Sequence, residues 1–153
     1  MREEIKIVVA EAHKLQLDNS AVSDELNEVQ AYFDQNKFDF QENTINFVFL
    51  KGEYSQIKRT MVVMGVFVNK ISPIVFSFNA KLKLKFKDLK AQIATTKVTF
   101  PQEFIGELNY NEGMLFHIEI PVKGLEQDEQ FKFSDIDGQL VEVEVLKKET
   151  LVD

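Results

Sequence analysis

Apolar residues first recur with a helical period. Val22, Leu26, Val29 and Phe33 lie at i, i+4, i+7 and i+11, which lines them along one face of a helix. Asn19-Ser20 precede the stripe as an N-cap, Asp24 and Glu25 suit the first turn, and Asn36 is a natural stop. The spacing predicts a helix over about 20–35. Upstream, IKIVV at 5–9 is rich in β-branched residues and favours a strand, although Ile5, Val8, Val9 and Ala12 also fit helical spacing.

Past the helix the period changes to two. Ile45, Phe47 and Phe49 alternate with Asn46 and Val48 and end before Gly52. MVVMGVFVN (61–69) is nearly continuous apolar, as expected of a strand covered on both faces, and Pro73 follows it. KLKLKFKDLK (81–90) turns Leu82, Leu84 and Phe86 one way and Lys81, Lys83, Lys85 and Lys87 the other. QIATTKVTF (92–100), MLFHIEIPV (114–122) and LVEVEVL (140–146) read as further strands. The last places Val141, Val143 and Val145 on one face, opposite Glu142 and Glu144. Gly52, Gly106, Gly113, Gly124 and Gly138 fall between the runs, where turns call for them.

Six or seven short strands with turn signals predict a mainly β fold, an antiparallel immunoglobulin-like β-sandwich preceded by one short amphipathic helix. The expected division is an N-terminal extension at 1–19 that includes the candidate strand, then one domain over 20–153. Fourteen Phe and no Trp point to a Phe-rich core. Phe47, Phe67, Leu84, Phe86, Phe116 and Val143 are expected in it.

Composition narrows the function classes. The absence of Cys excludes disulfides, thiolate metal sites and cysteine nucleophiles, and two His leave little room for acid–base chemistry. The net charge of -7 is a poor start for a nucleic-acid binder. That charge is unevenly placed: residues 1–46 carry net -6, residues 47–100 net +8, and residues 101–153 net -9. The start, MREEIKIVVAEAHK, lacks the basic opening and long apolar run of a secretory signal, and no stretch of about 18 apolar residues occurs, so the chain reads as cytoplasmic without a transmembrane segment.

At this point the order of elements resembles the SLAP domain of Gram-positive Firmicutes. The resemblance rests on DELNEVQAYF (24–33), TINFVFL (44–50), VVMGVFVNKISPIVF (62–76) and IGELNYNEGMLFHIEIP (105–121). Val63, Phe67 and Asn69 match one family strand, and Gly106, Glu107, Leu108, Phe116 and Ile118 a second segment. Val68 stands where the family usually has Arg, and Met114-Leu115 where it has Pro-Trp. The similarity implies a non-enzymatic interaction module without a cofactor, accessory to the secretion or assembly of surface proteins; its protein partner is left unidentified, with secretion machinery as the candidate. A small-ligand or lipid-binding β protein, with the ligand held in the Phe-rich interior, is the first alternative, and a hydrolase using carboxylates from the acidic turns the second.

Individual sites offer less. His117 and Glu119 share a strand face, with too few companions for a catalytic or metal pair, and His13 has none. The six Ser lie in no nucleophile elbow. Asp128, Glu129, Asp135 and Asp137 form an acidic turn, but with Gly138 at the sixth position of a calcium loop the first would be Phe133, so a solvated loop is expected. Lys81, Lys83, Lys85 and Lys87 are the strongest charge signal and the candidate partner-binding residues. They form either a solvated strand face balanced by Glu142, Glu144 or Glu119, or a dock for an acidic partner or an anionic lipid surface.

Overall fold

A computed structural model of the chain describes residues 5–10 and 19–147. His13 and Ala12 lie outside the described residues. The fold is mainly β, built from two sheets and one long helix. In chain order the elements are β1 (Lys6–Val9), α1 (Ser20–Gln35), β2 (Ile45–Ser55), β3 (Thr60–Asn69), β4 (Ile74–Phe86), β5 (Gln92–Ile93) and β6 (Thr96–Phe100). A single helical turn α2 (Gln102–Ile105), β7 (Leu108–Asn109), β8 (Glu112–Lys123), β9 (Glu129–Lys132), a 3-10 turn (Phe133–Asp135) and β10 (Ile136–Lys147) follow.

The first sheet runs β1-β8-β3-β2-β9, with β5 also pairing β8. The second runs β10-β4-β6, with β7 pairing the start of β4. All pairs are antiparallel except β1 with β8, which is parallel.

Period-two alternation makes the two sheets meet. Phe67 of β3 is fully buried and touches rings from both layers: Phe47 at 5.0 Å, Phe78 at 5.6 Å, Phe100 at 5.2 Å and Phe116 at 6.5 Å. Leu84 and Phe86 are buried in the same core, while Phe47, Phe116 and Val143 are half-buried and packed against it. Side chains of about the right volume thus fill the space between the sheets.

The other face of the first sheet is covered as well. Val48, Val66, Val68 and Leu115 meet Val29 and Phe33 of α1, so β3 is buried on both sides, as its unbroken apolar run predicts. The helix occupies the predicted residues, and the Asn19 side chain accepts a hydrogen bond from the Ala21 amide at 2.9 Å. Its stripe packs on its own sheet, with Val22 and Leu26 half-buried. The loop after it adds Phe38, stacked on Phe33 at 4.8 Å and on Phe40 at 5.5 Å.

Within the 5–9 run, Lys6–Val9 form the strand, and it lies beside β8 in the first sheet. Gln30 of α1 closes its outer edge. The Ile7 amide donates to Gln30 Oε1 at 2.8 Å, and Gln30 Nε2 donates to the Ile5 carbonyl at 2.9 Å. A side-chain amide therefore stands where a further strand would pair.

Three expectations change. Gly52, Gly113 and Gly138 lie inside strands, not in turns, because neighbours crowd them: an added Cβ would press on Met61 at 2.6 Å, Val66 at 2.6 Å and Leu84 at 3.0 Å respectively. The 92–100 run is not one strand but two. β5 joins β8, whereas β6 joins β4 in the other sheet. Val141, Val143 and Val145 do not share a face. A bulge between Val141 and Glu144, with Glu142 at φ 52, leaves Val141 opposite Lys81 and turns Val145 to Phe78 in the core.

Candidate functional site

The outer face of the second sheet is the largest difference between the two layers. The first sheet has α1 and the Phe38–Phe40 loop over it, and among the described residues no element covers the second. Strand alternation sends Lys81, Lys83, Lys85 and Lys87 to that open side, and all four are exposed. β6 adds Lys97, directly opposite Lys81 in register and also exposed. Like charges placed opposite each other repel, so this pairing weakens the sheet locally.

Among the described residues, ion pairs form at the ends of the lysine row. Lys81 Nζ lies 2.7 Å from Glu142, and Lys87 Nζ lies 3.5 Å from Asp137. The hydrogen bond and charge of Lys81, helped by Lys83, hold the Glu142 carboxyl below its ordinary range. Lys83 stands opposite Gln139 in register and Lys85 opposite Asp137, yet neither makes an ion pair among the described residues. Of the expected counterions, Glu142 is in place, and Glu144 pairs in register with Asn79. Glu119 belongs to the other sheet, where it accepts from the Thr60 hydroxyl at 2.6 Å. Asp137, which the sequence groups with the acidic turn, is brought to the lysines by the register of β10 on β4.

That turn holds no carboxylate cluster. Asp128 Oδ1 accepts from the Gln56 amide at 2.7 Å, and Asp135 Oδ2 accepts from the Lys132 amide at 2.8 Å. Glu129 begins β9. Among the described residues no three His, Cys, Asp or Glu side chains converge. His117 is exposed, with Nε2 3.2 Å from Glu25 of α1.

One polar cluster had no clear sequence signal. Lys70 is only 5% exposed, and its ammonium meets Asn111 Oδ1 at 2.6 Å and Glu42 at 3.7 Å. It also sits over the rings of Phe40 and Tyr110, at 5.6 Å and 5.1 Å. Tyr110 donates to Glu42 at 2.6 Å. This cluster ties the 36–44 loop to the end of β3. Nearby, Asn69 Nδ2 donates to the Leu108 carbonyl at 2.9 Å, which joins the end of β3 to β7.

No protein-family profile, no curated protein and no solved structure matches the chain. No helix among the described residues is long and apolar enough to cross a membrane.

Proposed function

We propose that the protein is a non-enzymatic interaction module similar to SLAP-domain proteins, working in the cytoplasm as an accessory to the secretion or assembly of surface proteins. The two packed sheets are then read as an immunoglobulin-like sandwich, with the outer face of β10-β4-β6 as the docking side. One observation carries this reading: Lys83 and Lys85 lie exposed in the middle of an uncovered sheet and form no ion pair among the described residues, on a chain of net charge -7.

The ligand-holding alternative has less support. Phe100 lies 5.0 Å from both Phe78 and Phe116, so the rings that would line an interior site fill it. Capture from a Firmicute extract tests the reading, using wild type and the Lys81, Lys83, Lys85 and Lys87→Gln variant, with native mass spectrometry of the eluates. A protein partner retained by wild type and lost by the variant is the expected result. A bound hydrophobic ligand and no protein partner would contradict it.

A further inference from the structure

β6 pairs with β4 only from Phe78 to Leu82. Beyond Leu82, β4 has β10 on one side and, among the described residues, no strand on the other. The chain between β4 and β6 instead loops through Leu89 and Ile93 to join β8. A groove of about 900 Å³ results, bounded by residues 137–139 of β10 and by the 89–95 loop. Lys83, Lys85 and Lys90 line it, together with apolar Leu89, Ala91 and Ile93. Asp137 is the one carboxylate among its lining residues, and Lys87 already engages it.

We infer that this groove takes an extended acidic peptide segment, with its carboxylates on Lys83, Lys85 and Lys90 and its intervening apolar side chains on Leu89, Ala91 and Ile93. The inference rests on the interaction reading above and names the chemistry of the partner. Three features select this occupant. Lys83 and Lys85 are two residues apart on a strand, about 6.8 Å, which is also the spacing of same-face side chains in an extended peptide. The cationic band is narrow, and Asp137, Glu142 and Glu144 of β10 lie along its flank. A flat anionic bilayer would meet those carboxylates along with the lysines, whereas a single extended segment follows the lysines alone. A nucleic acid would call for exposed rings to stack on, and Phe86, the aromatic residue of this lysine stretch, is buried in the core.

Fluorescence anisotropy tests it with a short labelled peptide alternating Glu and Val. A Gln-Val peptide, an oligo-dT strand and phosphatidylserine vesicles serve as comparison probes. The Glu-Val peptide should bind saturably and weaken as salt rises, and the Lys83→Gln/Lys85→Gln variant should lose about tenfold or more in affinity. Lys58→Gln, which removes an exposed cation from the hairpin between β2 and β3, outside the groove, should change it by about twofold or less. No saturable binding, equal binding of the Gln-Val peptide, unchanged affinity of the double variant, or preference for oligo-dT or vesicles would each overturn the proposal. Failure here is separable from failure of the interaction reading. If the lysine variants still lose a captured partner while the Glu-Val peptide does not bind, the surface stands and the peptide chemistry falls.

Discussion

Phe67 shows most directly how one side chain ties the two sheets together. It is fully buried and in contact with four other rings, two of them on the second sheet. Phe67→Ala should cost about 3–5 kcal/mol in denaturant melts, because it removes transfer free energy and leaves a cavity bounded by rigid rings. A loss below about 1 kcal/mol would mean the core collapses freely around the gap. Glu142 and Lys81 give a second test at this scale. Lys81 lowers the Glu142 pKa, so the pair's stabilising effect is present above the ordinary carboxylate range and is lost as pH falls through the lowered value. In Lys81→Gln the Glu142 carboxyl should titrate at higher pH than in the wild type, with only the weaker influence of Lys83 left to hold it down. A carboxyl-carbon NMR titration that is the same in both proteins would refute the assignment.

At the scale of elements, signals carried by neighbouring residues were legible and signals that depend on distant ones were not. Asn19, the Val22–Phe33 stripe and Asn36 place α1 within its own sequence, and the helix lies there. The Lys/Leu alternation of β4 likewise sets its two faces without reference to any other strand. In contrast, the parallel pairing of β1 needs β8, more than a hundred residues away, and the split of 92–100 needs strands from two sheets. The bulge at Glu142 was hidden because a Glu, not a Gly, takes the positive φ. The lysine row could be read from its spacing. The Asp137 partner, the lack of an ion pair to Lys83 and Lys85 among the described residues, and the Lys70 cluster all depend on register or loop closure. Gln30 tests the least expected element contact. Gln30→Ala leaves the Ile7 amide and Ile5 carbonyl without their side-chain partner, at about 1–2 kcal/mol. The Ile7 amide should then exchange faster with solvent while β3 stays protected. Unchanged exchange at Ile7 would show that β8 alone holds β1.

On the scale of the whole molecule, charges separated along the chain become neighbours across one sheet. The basic middle of the sequence supplies β4 and β6, and the acidic end supplies β10, so a cationic band runs beside an anionic rail on the open face. The opposite sheet is closed by the helix and its aromatic loop. This asymmetry underlies the proposed docking side, and amine footprinting of the partner-bound protein tests it most directly. Lysines are acetylated briefly, with and without the captured partner, and read residue by residue in mass spectra. The account predicts strong protection of Lys83 and Lys85, with Lys51 and Lys58, exposed on the first sheet and its hairpin, labelled as before. Full labelling of Lys83 and Lys85 in the bound protein, with protection elsewhere, would contradict it.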